Sequence, residues 1–135
     1  MARKLLNSAP VRTVIRTTMA PAAIGPYSQG VLVGDTLYCS GQIAIDPKSG
    51  HMIGGTIVKQ TERVLNNVGA ILGAAGMDYE NVVQCTIYLA DISDYPTINE
   101  VYARYFNEIP PARAAVAVSG LPRGALIEIS CVAVR

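Results

Sequence analysis

The segment 126–134 constrains the fold of this chain more than any other, because it is apolar on both faces that a β-strand presents. One face carries Ile127, Ile129, Cys131 and Ala133, and the other carries Leu126, Glu128, Ser130, Val132 and Val134. A strand of this kind needs cover on both sides. If helices cover one face, we expect a second subunit to cover the other, so that Glu128 lies near a subunit boundary.

Arg113 and Glu128 are opposite charges that stand among apolar residues. The composition alone favours a structural ion pair between them. The alternative is a functional site, because a guanidinium offers a planar fork of donors suited to a carboxylate. A carboxylate on an otherwise apolar strand could also position a water molecule or move a proton.

The composition indicates an assembly of identical chains. The 135 residues, with a mass of 14.3 kDa, match the size of one domain. Charged residues make up 16% of the chain and apolar residues 50%, whereas about a quarter of an average protein is charged. Because so few charges are available to cover a monomer, we expect a homo-oligomer. The net charge of +1 offers no broad basic surface, and we expect no nucleic acid partner.

The cysteines and the histidine do not predict a metal site. Cys39, Cys85 and Cys131 are odd in number and far apart, which favours free, buried thiols in a reducing compartment. His51 has no second histidine to join it, so we expect it in a surface loop. No apolar run reaches the roughly 20 residues that cross a bilayer, and we expect no membrane partner.

The amino-terminal segment bears on location. Four basic residues and no acidic one precede Asp35: Arg3, Lys4, Arg12 and Arg16. This composition is compatible with an organellar transit segment, but Pro10 interrupts an amphipathic helix early. We therefore expect a cytoplasmic protein, with a mitochondrial location as the alternative. We interpret residues 1–10 as an extension that is flexible or serves targeting, and residues 11–135 as a single domain.

Apolar periodicity predicts the order of the elements. Alternation indicates strands at 11–18, 31–33, 36–45, 81–90, 114–119 and 126–134. Gly34-Asp35 predicts a tight turn between the second and third strands, and Leu121-Pro122-Arg123-Gly124 a turn before the last.

Two helices are predicted between these strands. Helical spacing extends over 58–75 and ends at Gly76. The second helix has a clear apolar stripe, formed by Ile98, Val101, Tyr102, Tyr105 and Phe106. We expect a capping oxygen from Ser93 or Asp94 at its start, and Pro110-Pro111 prevents its continuation. The order predicts an α+β fold, with helices on one face of a mixed sheet.

Several motifs follow one another along the chain. They are Ala23-Ile24-Gly25-Pro26-Tyr27-Ser28-Gln29, Ser40-Gly41-Gln42-Ile43, Val101-Tyr102 with Tyr105-Phe106, Pro111-Ala112-Arg113 and Ile127-Glu128-Ile129. From about Val14 to the carboxyl terminus, the chain resembles the Rid family, also called YjgF-like, and its RidA subgroup of imine deaminases. Agreement of several motifs in order is more specific than any one of them.

The resemblance implies a single domain of the chorismate-mutase-like (YjgF-type) fold, with two helices on one face of a mixed sheet. It implies a trimer with a barrel-like core and active sites between subunits. The implied reaction is hydrolysis of 2-iminobutanoate and 2-iminopropanoate to 2-keto acids and ammonia, which protects pyridoxal-phosphate enzymes from damage. No metal or organic cofactor is implied.

The resemblance also implies roles for individual residues. Arg113 matches the arginine that binds the substrate carboxylate, and Glu128 matches the glutamate that orients the attacking water. The remaining matches are substrate-binding residues: Tyr27, Ser40, Gly41, Asn99 and Ala115. Tyr27 is expected to reach in from the neighbouring chain. Ala115 stands where many bacterial relatives have a cysteine, so a thiol is not essential there, and its backbone N–H could donate to the substrate instead.

Two other functions remain as alternatives. Relatives have been described as ribonucleases or translation inhibitors, but the lone His51 and the lack of a basic stripe speak against binding and cleaving RNA. A non-catalytic trimer could instead bind small carboxylates or act like a chaperone. The presence of Glu128 together with Arg113 favours catalysis over simple binding.

Overall fold

The computed structural model describes residues 9–135, which form a mixed β-sheet with two α-helices. In chain order the elements are β1 (Thr13–Ile15), β2 (Gly30–Val33), β3 (Thr36–Gln42), α1 (Ile57–Ala74), β4 (Val82–Leu89), α2 (Tyr95–Tyr105), β5 (Ala112–Ala117) and β6 (Ile127–Val134). Short 3₁₀ helices lie at Tyr79–Asn81, Ile92–Asp94 and Pro122–Gly124. The predicted α+β class is confirmed.

The last strand of the chain lies inside the sheet. The strand order is β1-β2-β3-β6-β4-β5, so β6 pairs with β3 on one side and β4 on the other, antiparallel to both. Only β4 and β5 pair in parallel among these strands, and α2 connects them. β5 is consequently an edge strand, whereas β6 has hydrogen-bonded neighbours on both sides.

The core lies between the helices and one face of the sheet. From the sheet it takes alternate residues of the interior strands, among them Leu37, Cys85, Ile87, Ile127 and Ile129. From the helices it takes the apolar stripes of α1 and α2, including Val64, Leu65, Val68, Ile98 and Tyr102. Burial of these side chains is the main stabilising contribution to the fold.

The opposite face of the sheet carries no helix from residues 9–135. Tyr38, Val116 and Val134 point to this side and are 53%, 44% and 40% exposed. We call this surface the open face. A face with this much exposed apolar area is typical of a protein interaction surface.

The predicted helices nearly match the observed bounds, and four predicted strands, 11–18, 36–45, 81–90 and 126–134, are longer than the observed ones. The strand predicted at 31–33 is one residue too short, and the strand predicted at 114–119 is displaced by two residues from β5. The helix predicted at 58–75 is α1. The tight turn predicted at Gly34-Asp35 is also present, and Gly34 has a φ of +58°, which glycine adopts without strain. The strand predicted at 11–18 ends at Ile15, because the backbone at Thr17 instead bonds to the side chain of Gln29.

The start of α2 differs from the expected cap. Asp94 makes no side-chain hydrogen bond to the helix. Asp91 caps the preceding 3₁₀ turn instead, since its carboxylate accepts a 2.9 Å hydrogen bond from the Ser93 N–H. The 3₁₀ helix Ile92–Asp94 leads directly into α2. The carboxylate therefore caps the 3₁₀ helix and not α2 itself.

Most of the predicted extension, residues 1–10, lies outside the described part of the chain. From residue 9 onward, none of the helices has the length and apolar character needed to span a membrane.

Candidate active site

Arg113 lies on the edge strand β5 and points to the helix-covered face. It is in register with the buried Cys85 of β4, which shares that face. Its Nη2 donates a 2.8 Å hydrogen bond to the hydroxyl of Tyr95. Its guanidinium carbon is 4.9 Å from the ring centroid of Tyr102 and 5.4 Å from that of Tyr95. Two aromatic rings of α2 therefore hold the cation by cation–π contact.

Arg113 borders an open cleft of about 540 Å³. The lining residues are Ile92, Ser93, Tyr95, Pro96, Arg113 and Ala115. The salt bridges found among residues 9–135 join Arg104 to Glu62 and Arg135 to Asp35, and neither includes Arg113. The structural ion pair that the composition favoured is therefore wrong for the described chain. The guanidinium faces the cleft with donors available for an anion.

Ala115 and Asn99 stand on the same side of the sheet as Arg113. Ala115 is in register with the buried Ile87 and lines the cleft. Asn99 lies four residues after Tyr95 on α2, and its Oδ1 is buried without a hydrogen-bond partner among residues 9–135. A buried amide oxygen without a partner has a free-energy cost, so Asn99 has an acceptor to offer to a ligand.

Glu128 points to the open face, on the other side of the sheet from Arg113. Its strand neighbours Ile127 and Ile129 are fully buried on the helix side. Its carboxyl group is pressed against Gly41 of β3, where an added Cβ would come within 2.8 Å of the carboxyl carbon. A glycine is needed at this position because any larger residue would displace the carboxylate. Partial burial raises the pKa of Glu128 above its ordinary value.

Ser40 lies on the Glu128 side of the sheet, and its hydrogen bonds attach the segment that contains Tyr27. The Ser40 hydroxyl donates to the carbonyl of Ser28, and the Ser40 N–H donates to the carbonyl of Gln29 at 3.0 Å. These bonds attach the segment 25–29 to β3, beside Gly41. Tyr27 lies in this segment and is 49% exposed, and it lines a second cavity of about 530 Å³.

Gln29 fixes the loop that forms the wall of this second cavity. Its side-chain NH₂ donates to the carbonyls of Thr17, Ala20 and Pro21, and its Oε1 accepts a 2.8 Å bond from the Thr17 N–H. Gln29 is 6% exposed. A satisfied, buried amide of this kind holds the loop in one conformation.

The structure thus divides the predicted site residues into two groups. The arginine half-site contains Arg113 and Ala115, with Asn99 nearby on α2, and the glutamate half-site contains Ser40, Gly41 and Glu128, with Tyr27 in the segment attached to Ser40. The sheet separates the two groups within one chain. The roles predicted for these residues stay predictions.

Sequence reasoning missed Tyr95 and Ile92 in the arginine half-site. Tyr95, Asn99 and Tyr102 are spaced four and three residues apart, which places them on one face of α2. This spacing could have identified Tyr95 from the sequence, because Tyr95 lies on the same helix face as Asn99, which was predicted to bind substrate. Ile92, which is 55% exposed, gave no such signal.

The nearest thiol to Arg113 along the sheet is not a nucleophile. Burial raises the pKa of Cys85 to about 11, so the thiol is protonated at neutral pH and poorly reactive. Cys39, Cys85 and Cys131 are all free and buried, as predicted. Across residues 9–135, no three side chains of histidine, cysteine, aspartate or glutamate are placed to hold a metal ion.

Comparisons with known proteins agree along nearly the whole chain. The family model described as Endoribonuclease L-PSP matches residues 17–135. The 2-iminobutanoate/2-iminopropanoate deaminase of Mus musculus is 52% identical over 128 residues, which cover 95% of both chains. A protein of the conserved Rid family from Yersinia pestis has a TM-score of 0.90 and 44% identity, covering 93% of this chain and 100% of its own.

A second solved structure supports the same assignment. RidA from the Antarctic bacterium Psychrobacter has a TM-score of 0.88 and 42% identity, covering 91% of this chain and 99% of its own. The predicted YjgF-type fold is therefore confirmed for the single chain.

Proposed function

The chain belongs to the Rid family, within its RidA group, and from this membership we propose that it hydrolyses 2-iminobutanoate and 2-iminopropanoate to 2-keto acids and ammonia. The observation that carries the proposal is the position of Arg113. It presents a guanidinium to an open cleft without a carboxylate partner in the described chain. A small 2-imino acid supplies the carboxylate that this fork of donors fits.

One chain cannot complete the site by itself. Arg113 and Glu128 point to opposite faces of one sheet, so a small substrate cannot contact both in the same protomer. A second copy can bring its glutamate half-site to the arginine half-site of the first. We propose a homotrimer in which three such clefts lie between neighbours, with the apolar open faces of the three sheets packed in the centre.

The exposed side chains support this assembly. Burying Tyr38, Val116 and Val134 would remove apolar surface from water, at a gain of about 25 cal/mol for each Å². The trimer would also place Tyr27 of one subunit beside Arg113 of the next. Light scattering should give three times the chain mass of 14.3 kDa, and a monomeric mass would contradict the proposal.

The reaction needs positioning more than activation. A protonated imine is already electrophilic at carbon, so a water molecule held at the right distance can attack it. Glu128 accepts a proton from this water as the C–O bond forms, giving a carbinolamine. The same carboxyl group then returns the proton to the nitrogen. The C–N bond breaks and ammonia leaves, while the hydroxyl proton passes to the regenerated Glu128 carboxylate, and from there to solvent, as the keto group forms.

The raised pKa of Glu128 suits this role. A base acts best when its pKa lies close to the working pH, and burial moves the carboxyl pKa in that direction. Above that pKa the group is ionised and can accept the proton.

The other residues hold the substrate. Asn99 has a buried amide oxygen to offer, and the backbone N–H of Ala115 is proposed to donate to the imine or keto group. From the neighbouring subunit, Tyr27, Ser40 and Gly41 close the cleft around the reacting carbon, and Gly41 leaves room for the Glu128 carboxylate.

The direct test is ammonia release from freshly generated 2-iminopropanoate and 2-iminobutanoate. An amino acid oxidase can generate the imines in the assay, and the spontaneous rate without the protein is the background. We expect release to exceed that background in proportion to protein concentration. Binding of 2-ketobutyrate without faster ammonia release would instead favour a non-catalytic carboxylate-binding trimer.

The alternative ribonuclease function can be tested with the same protein preparation. The family model carries an endoribonuclease description, but His51 is exposed on a loop and the chain has a net charge of only +1. We expect no RNA cleavage above background. Cleavage that disappears in Arg113→Ala would favour a phosphate-binding role for this arginine. We propose a cytoplasmic protein, in keeping with the sequence prediction, that shields pyridoxal-phosphate enzymes from imines.

A further inference from the structure

We propose that Tyr95 is a positioning residue for the proposed deaminase reaction: its hydroxyl fixes the rotation of the Arg113 guanidinium and so sets the orientation of the substrate carboxylate. This inference rests on the proposed function. It assigns a role to a hydroxyl group that lies in the cleft and that the proposed mechanism does not otherwise use.

Arg113 is held by contacts with two tyrosines of α2. Its guanidinium carbon lies over the ring of Tyr102, 4.9 Å from the centroid. A cation–π contact of this kind keeps the cation over the ring but leaves it free to rotate. The hydrogen bond from Nη2 to the Tyr95 hydroxyl, at 2.8 Å, fixes that rotation. It is the hydrogen bond that the Arg113 side chain makes among residues 9–135.

Tyr95 is itself held in place by the start of α2. It is the first residue of α2 and is followed by Pro96, whose ring restricts the backbone to helical values there. The turn before it is capped by Asp91 through the Ser93 N–H. The hydroxyl thus stands at the end of a side chain whose backbone has little freedom.

Other donors of Arg113 remain available. Tyr95 accepts one N–H of Arg113, so the remaining N–H groups of the guanidinium stay free to donate to a substrate. Tyr95 is 37% exposed and lines the cleft beside Arg113. The guanidinium oriented by this phenol can therefore direct the rest of its donor fork into the space where the carboxylate would lie.

This arrangement predicts a particular kinetic signature. The carboxylate keeps its charge from the bound substrate through the transition state, so the contacts to it are of similar strength in both. Losing the Tyr95 hydroxyl should therefore raise KM and leave kcat nearly unchanged. One hydrogen bond to a charged group corresponds to about a tenfold change in binding.

The experiment compares Tyr95→Phe with Tyr105→Phe. Both variants remove one hydroxyl from the same helix, but the Tyr105 hydroxyl donates to Asn66 at 3.2 Å, between the helices. We expect Tyr95→Phe to raise KM and the Kd for 2-ketobutyrate about tenfold, with kcat within about a factor of two. Tyr105→Phe should change neither. Equal values for wild type and Tyr95→Phe would overturn the inference.

A second measurement separates positioning from a structural role. In an Arg113→Ala background, Tyr95→Phe should have little further effect on 2-ketobutyrate binding, because the hydroxyl acts largely through the arginine. NMR titration can follow the millimolar affinities expected there. A full tenfold effect in both backgrounds would overturn positioning through Arg113.

The outcome also distinguishes this inference from the proposed function. If the wild type neither binds 2-ketobutyrate nor releases ammonia, the proposed function fails. If the wild type does both and Tyr95→Phe matches it, only the role of Tyr95 fails.

Discussion

The two half-sites are built in opposite ways. Arg113 stands on an edge strand, where side-chain contacts with two tyrosines of α2 orient it. Glu128 stands on an interior strand, where neighbours on both sides fix the backbone and Gly41 leaves the carboxylate only a narrow space. The group proposed to bind the carboxylate is thus held by side-chain contacts, and the group proposed to transfer the proton is held by the sheet itself.

This difference suits the two tasks. A carboxylate can be bound over a range of small displacements, since charge attraction falls slowly with distance. Proton transfer to and from a water molecule depends on hydrogen-bond geometry within a few tenths of an ångström. In the proposed reaction, the more rigid part of the fold therefore carries the step with the stricter geometric requirement.

The largest effect is expected from Arg113→Ala. Two charge-assisted hydrogen bonds to the substrate carboxylate would be lost, so kcat/KM should fall by about 10³-fold or more. Steady-state ammonia release measures this, and light scattering should still show the trimer. Arg104→Ala is the matched control, because that arginine pairs with Glu62 on the surface and should leave turnover unchanged. Near-normal activity of Arg113→Ala would contradict the proposed role of this arginine.

Glu128→Gln should act on a different kinetic constant. The amide keeps the shape of the side chain but cannot accept a proton, so kcat should fall by about 10²-fold. Binding of 2-ketobutyrate should be retained. Glu62→Gln serves as control. If Glu128→Gln lost 2-ketobutyrate binding but kept its kcat, Glu128 would be assigned to substrate binding instead of proton transfer.

Mixed trimers test whether the half-sites come from different subunits. Co-expression of Arg113→Ala with Glu128→Gln chains in equal amounts should restore activity, although each variant alone is nearly inactive. With random assembly, about a quarter of the interfaces pair an intact arginine with an intact glutamate. If both residues acted from one chain, every site would keep a defect and no activity would return.

Gly41→Ala tests the narrow space beside Glu128. The added methyl group would meet the carboxyl carbon at 2.8 Å, so either the carboxylate moves or the strand shifts. We expect about a tenfold loss in kcat and a loss of about 1–3 kcal/mol in the free energy of unfolding. Gly120→Ala is a suitable control, since a Cβ there would meet nothing within 4 Å. Unchanged kcat would show that the carboxylate tolerates displacement.

The smallest effect is expected in the pH dependence. Burial raises the pKa of Glu128, so kcat should rise with pH through a midpoint above that of an ordinary glutamate. For stability the sign is opposite, because a raised carboxyl pKa favours the folded state below it and less so as the pH rises through it. Glu128→Gln should lose the acidic limb of the rate profile. An acidic limb that persists in this variant would assign it to another group.

The sequence predicted the glutamate side better than the arginine side. In β6 every second residue is a buried apolar one, so the alternation revealed that Glu128 is turned away from the helices. In β5 the sequence Ala-Arg-Ala-Ala-Val-Ala has no such alternation. The face that Arg113 takes could not be inferred from its neighbours, nor could its contact with Tyr95, which is 18 residues away.

The types and order of the elements, the family and the two charged residues of interest could all be inferred from the amino-acid sequence. Apolar periodicity and helix capping depend on residues that are close together in sequence, and the family motifs are short. All three can therefore be recognised in the amino-acid sequence. The placement of Arg113 and Glu128 on opposite faces of one sheet, and the contact between Tyr95 and the arginine, became apparent in the folded chain. The face of a side chain depends on strand register, which is set by pairing between segments far apart in sequence.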